Sequence, residues 1–165
     1  LNPDGSIAGN RNDADPTRYE PHYTEIRGSD QVQIYEAILG DSAGQVTTGL
    51  LSAVDYLKDN RLLPRGFDKK DAPADIAVHG QALEDPAFSD RGHTLRYSIE
   101  VGDAPGPFEI AVELWYQPIG FRWAKNLAAY NSDETHKFTG YFDSVGPGSA
   151  AMLVKATNAT HVAQN

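Results

Sequence analysis

Side chains able to do chemistry are few in this chain, and they are dispersed. The five histidines are His22, His79, His93, His136 and His161. No two of them have the i, i+4 spacing or the short clusters that mark a zinc site. Histidines so placed are ordinarily surface or hydrogen-bonded residues. His22, within Glu20-Pro21-His22-Tyr23, and His79, within Ala77-Val78-His79-Gly80, have neighbours that would hold a ring in place, and they are the stronger candidates. Asn10, Asn12, Asp13 and Asp15 put several oxygens within six residues. Calcium takes roughly six to eight oxygen ligands and finds them in polar loops, so these four are candidate calcium ligands, Asp13 and Asp15 first. Their spacing is not that of an EF-hand, and a solvated turn is the plainer alternative.

Carboxylates number 23, so some pair will share a groove by chance. Glu109 and Glu113 fall on one face of a strand but about 13 Å apart at ~3.3 Å per residue. Glycosidase pairs need about 5–9.5 Å. No Gly-x-Ser-x-Gly, P-loop or dinucleotide fingerprint occurs, and nothing in the sequence asks for a catalytic site. Exposed aromatics matter more. Trp115, Phe121 and Trp123 could form a platform for a sugar ring, or could be covered by the helix over 121–130 or by a partner domain; the covered reading is the one we expect.

The elements that must position these residues are mostly strands. Residues 108–117 alternate Phe108, Ile110, Val112, Leu114 and Tyr116 with Glu109, Ala111, Glu113, Trp115 and Gln117. That period of two predicts a strand with one face on a core. Leu95, Tyr97, Ile99 and Val101 alternate in the same way. A hairpin through residues 102–107 would set Val101 against Phe108 and Arg96 against Glu113. Further strands are predicted at residues 22–26, 31–39, 46–48, 75–79, 137–143 and 150–156, with residues 40–45 a hairpin loop between the second and third of them. Residues 47–62 carry both signals: Leu50, Val54 and Leu57 have helical spacing, whereas Val46, Thr47, Val54 and Tyr56 favour strand, which we prefer. Trp123, Leu127 and Tyr130 predict a short helix over 121–130. Residues 1–21 read as an irregular polar arm and residues 157–165 as a frayed tail.

Ten prolines and fifteen glycines, spread along 165 residues, imply many turns and short elements. The expected fold is one domain over residues 1–165, mainly β. It is an antiparallel β-sandwich, immunoglobulin-like or jelly-roll-like, with one or two short helices. A net charge of −9 with scattered basic residues argues against nucleic acid and anionic membrane surfaces as partners. No apolar stretch approaches the roughly 20 residues of a membrane helix, so membrane insertion is not expected. The chain has no cysteine and therefore no disulfide, thiolate metal site or covalently attached haem. It opens on Leu1 rather than Met, and we expect it to be a piece of a longer polypeptide.

Three stretches carry a family resemblance: Leu1-Asn2-Pro3-Asp4-Gly5-Ser6-Ile7, Tyr56-Leu57-Lys58-Asp59-Asn60-Arg61-Leu62-Leu63-Pro64, and Leu114-Trp115-Tyr116-Gln117-Pro118 leading to Trp123. Together they resemble the cysteine-free, β-rich C-terminal region of bacterial multihaem c-type cytochromes. The resemblance implies a periplasmic electron-transfer protein with haem c in an upstream part, and sandwich strands that begin before Leu1. This chain lacks the Cys-x-x-Cys-His signature, so covalent haem does not carry over. What does carry over is a non-catalytic accessory or docking domain, partnered by the haem-bearing domain of the same polypeptide. His22, and after it His79, are the candidates to lend a haem ligand, since neutral imidazole can bind iron. The alternative function is a carbohydrate- or small-ligand-binding module that uses Trp115, Phe121 or Trp123. A hydrolase with dispersed carboxylates is the third reading.

Overall fold

The structure, a computed structural model, describes residues 1–146, Gly148 and residues 151–161. It divides into two compact units, Gly9–Ser98 and Leu1–Ala8 with Ile99–Asn165.

Within Gly9–Ser98 the central sheet holds β2 (Ala37–Gly40), β3 (Val46–Thr47) and β4 (Asp55–Asp59), in the antiparallel order β3-β2-β4. The predicted hairpin loop after Gly40 is present. The Asp41 carboxylate accepts from the backbone N–H groups of Ala43 and Gln45, and Gly44 takes the left-handed conformation that closes the turn. Residues 47–62 resolve as strand rather than helix. Gly49 and Ser52 make a turn that leaves Leu50 and Leu51 in solvent, so the helical spacing there serves no core.

The expected strand at 75–79 does not form. Only an isolated bridge between His79 and Asp59 marks it, and a one-turn helix, α1 (Gln81–Glu84), follows. The hairpin of β5 (Phe88–Ser89) and β6 (Gly92–His93) pairs Phe88 with His93. Val78, Ala82 and Phe88 are buried together, with Tyr35, Leu63, Phe67 and Leu83 packed around them. The predicted strand at 22–26 shortens to β1 (Glu25–Ile26), which runs parallel to β7 (Arg96–Tyr97). Ser98 closes that pair by donating its N–H to the Ile26 carbonyl and its hydroxyl to Glu25.

In the other unit, β8 (Phe108–Tyr116) is the predicted strand, but its partner differs from expectation. It pairs antiparallel with β9 (Met152–His161), Phe108 opposite His161 and Tyr116 opposite Met152. The expected hairpin with 95–101 would have set Glu100 directly opposite Glu109, a like-charge pair. With β9, Glu109 faces Thr160 and Glu113 faces Ala156, and no charge conflicts. Residues 157–161 are therefore strand rather than frayed tail. Ala150 and residues 162–165, the ends of two predicted segments, lie outside the described residues.

The helix α2 (Phe121–Leu127) starts after Gly120, close to expectation. The predicted strand at 137–143 is instead helical, within α3 (Asp133–Ser144). Its start is set by a reciprocal cap. The Ser132 hydroxyl accepts the Thr135 N–H, the Thr135 side chain accepts the Ser132 N–H, and Asp133 and Glu134 complement the dipole in the first turn. One turn apart, Phe138 and Phe142 then stack at 5.9 Å.

The chain is thus β-rich, built of small sheets that are antiparallel apart from the β1–β7 pair, with three helices among the described residues. Each described sheet has two or three strands.

Candidate functional site

The densest group of titratable side chains lies inside Gly9–Ser98. His22 comes from the extended segment before β1. Asn60 follows β4, Asp85 caps the C-terminal end of α1, and His93 is on β6. Asp85 is held at both ends of its side chain. Its Oδ1 accepts the Ala87 N–H at 2.8 Å, while its Oδ2 lies 2.9 Å from His22 Nε2 and 3.1 Å from His93 Nε2. The two imidazoles stack with centroids 4.6 Å apart, and Phe88 meets both edge-on. His93 Nδ1 is 2.9 Å from the Tyr35 hydroxyl. Only 1% of each imidazole and 3% of the carboxylate side chain reach solvent. Nearby, Lys58 is also buried and donates to the carbonyls of Glu20 and Ile34 and to the Glu36 carboxylate.

One amide fixes where His22 carries its hydrogen. Asn60 Oδ1 accepts the Glu36 N–H at 2.9 Å, and its Nδ2 donates to the Ile34 carbonyl at 2.9 Å. Those two backbone contacts forbid a flip of the amide. Nδ2 therefore also donates to His22 Nδ1, at 3.1 Å. His22 Nδ1 must be the bare nitrogen, so Nε2 carries the hydrogen and donates it to Asp85. His93 Nε2 lies off the hydrogen-bond line to the same carboxylate oxygen.

The electrostatics follow the burial. Burial pushes the pKa of both His22 and His93 below the ordinary imidazole range, against the pull of Asp85. Burial would raise Asp85, but the hydrogen bonds from His22 and from the Ala87 N–H, with the neighbouring imidazoles, leave it net lowered. Burial also pushes the Tyr35 hydroxyl up to about 12. The cluster is thus an ionised carboxylate between two neutral imidazoles.

His22, Asp85 and His93 each offer a ligand atom, all within 4.8 Å of one another, which makes them the candidate metal ligands of this unit. The fit is poor. A histidine that binds metal through Nε2 keeps its hydrogen on Nδ1 and needs an acceptor there. Asn60 presents a donor instead. A cation would have to displace the Nε2 hydrogen and break the Asn60 contact. The arrangement is suited to holding protons in fixed places, and its closure keeps a substrate from reaching it.

The structure unites only one of the sequence candidates with this cluster, His22. His79 lies apart, stacked on Tyr56 at 5.1 Å, with a buried Nε2 that has no hydrogen-bond partner among the described residues. Asn10 and Asn12 turn their amide nitrogens, not their oxygens, to Glu20 Oε1, at 2.8 and 2.7 Å. Asn10 Oδ1 caps the Asp13 N–H, and Asp15 Oδ1 accepts from the Thr17 backbone and hydroxyl. These contacts are those of wired turns.

Trp115 is 40% and Trp123 37% exposed, so within this chain the helix leaves part of each ring open. The helix α2 buries Arg122 and Ala124 instead. Half-buried Phe121 sits beneath Lys125, whose Nζ is 5.4 Å from the ring centroid. Sequence reasoning missed Asp85, His93, Tyr35 and Asn60 as a group. His22 and Asp85 are 63 positions apart, and no local spacing signals such a meeting.

Comparisons with protein families, with curated proteins and with solved structures return no match to this chain.

Proposed function

We propose that this chain is a non-catalytic accessory and docking domain of a periplasmic multihaem electron-transfer cytochrome, partnered by the haem-bearing part of the same polypeptide. In this reading its small sheets belong to an antiparallel β-sandwich that further strands complete. Haem c is bound upstream, since no cysteine here can attach it. The supporting observation is that one stretch carries two signals. Leu114-Trp115-Tyr116-Gln117-Pro118 and Trp123 belong to the family resemblance. Leu114, Trp115, Tyr116 and Trp123 are also left exposed in this structure. Apolar surface of this kind is what a docking domain offers a partner. If the domain lends a haem ligand, His79 is better placed than His22, because both nitrogens of His22 are hydrogen-bonded and His79 Nε2 is not.

The test is an absorption spectrum of the full-length native protein, in air and after dithionite. Sharp reduced bands of c-type haem are expected, and His79→Ala should perturb them more than His22→Ala. A colourless full-length protein would sink the reading. The alternative, glycan binding, is favoured by one feature: Trp115 is exposed, its N–H tied to Glu113 at 2.8 Å. Quenching of tryptophan fluorescence by oligosaccharides, lost in Trp115→Ala, would support it.

A further inference from the structure

We propose that the open edge of β8 takes up an extended strand from a partner, apolar at alternate positions and carrying Lys or Arg at the positions between. The inference rests on the docking reading and names the chemistry of what docks.

The ribbon of β8 and β9 is two strands only, so each strand has one edge with no ladder partner among the described residues. Among the described residues, no backbone bond from residues 108–116 goes anywhere but to β9. Ile110, Val112 and Leu114 remain 39%, 42% and 39% exposed on one face. An isolated two-stranded ribbon is marginal in water, and a long unpaired edge with apolar neighbours is a template for another strand. Main-chain pairing would supply affinity, and the alternating side chains would supply selection.

The side chains define the guest. An added strand in register sets alternate residues beside Ile110, Val112 and Leu114, and those must be apolar. The residues between lie beside Glu109, Ala111, Glu113 and Trp115. Two carboxylates there call for cations. The exposed Trp115 ring, oriented by its bond to Glu113, offers a further cation a π face.

Charge also disfavours the simplest other guest, a second copy of this chain. In antiparallel β8–β8 pairing centred on residue 110, 111 or 112, a Glu109 or Glu113 of one copy falls directly or diagonally beside a carboxylate of the other. The chain as a whole carries −9. The chain's own stretch 95–101 is also a poor guest, since Arg96 and Tyr97 are committed to β1 and Glu100 would oppose Glu109.

The probes are two capped peptides matched in length to β8, one alternating valine and lysine, the other valine and glutamate. Binding to the 165-residue chain is read by tryptophan fluorescence and by hydrogen exchange of residues 108–116. The valine–lysine peptide should bind at least about tenfold more tightly than the valine–glutamate peptide and slow exchange along β8. Glu109→Lys with Glu113→Lys should invert the preference. Equal binding of both peptides, binding of neither, or binding without protection of β8 would overturn the proposal. So would self-association in sedimentation that protects β8 from exchange. If the double variant fails to fold, the preference of the unmodified chain still decides. Haem bands in the full-length protein bear on the docking reading, not on this edge, so the two can fail separately.

Discussion

The interior of Gly9–Ser98 and the ribbon of β8 and β9 use side chains in opposite ways. In the first, Asp13, Glu20, His22, Lys58, Asp59, Asn60 and Asp85 are buried, against Ile26, Ile38, Val78, Ala82 and Phe88. In the second, apolar residues form a regular alternation and stay open to water. Buried polar groups need partners of one geometry, so they specify a single arrangement and close it. Exposed apolar alternation specifies a face without specifying what covers it. The first region closes on itself; the second leaves its apolar side chains in water.

The largest effect should come from Lys58. Lys58→Ala would take the lysine donor from the buried Glu20 carbonyl and the cation from the partly exposed Glu36 carboxylate, and leave the Ile34 carbonyl to Asn60 alone. The expected cost is about 3–5 kcal/mol, read by urea unfolding. A loss no greater than that of a surface lysine would mean the interior is wetter than described. Asp85→Asn should cost about 2–3 kcal/mol, because one amide cannot accept from both His22 Nε2–H and the Ala87 N–H without turning its NH2 on one of them.

Acidification probes the same cluster. Burial lowers the pKa of His22 and His93, so the unfolded chain takes up protons first as pH falls below about 6.5. Stability should be level above that pH with respect to these groups. Below it, stability should fall by up to about 1.4 kcal/mol per pH unit for each histidine. Denaturant midpoints from pH 8 to pH 5 measure this, and a flat profile would contradict the pair of neutral rings. On the ribbon, Ile110→Ala should cost only about 1 kcal/mol in the chain alone, since the residue is already well exposed. A cost of several kcal/mol would show that the face is covered. The smallest effect expected is that of zinc. It should leave the melting temperature unchanged, because Asn60 keeps the hydrogen of His22 on Nε2. A rise that vanishes in His93→Ala would restore the metal reading.

Legibility in the sequence followed the range of the interaction. The strand at 108–116, the loop after Gly40, the strand reading of 47–62 and the helix near 121 were all legible, because each rests on neighbours within a turn or an alternation. The segment 137–143 was misread as strand. The signal lay just upstream, in Ser132-Asp133-Glu134-Thr135, a cap with acids in the first turn. The partner of β8 was missed because several apolar strands could satisfy one face. The choice fell on charge, Glu109 opposite Thr160 rather than Glu100. His22 was singled out from its neighbours, but nothing near it pointed to Asp85 or His93.

By itself the sequence determined the absence of thiol chemistry, the acidic surface and the local elements, since these depend on residue type and short spacing. Tertiary structure alone decided three things. It placed two imidazoles beside one carboxylate oxygen, it fixed the proton of His22 through Asn60, and it left one edge of β8 open among the described residues. Each is a contact between segments tens of residues apart, or the lack of one, and each was set by competition among many pairings that local pattern cannot rank.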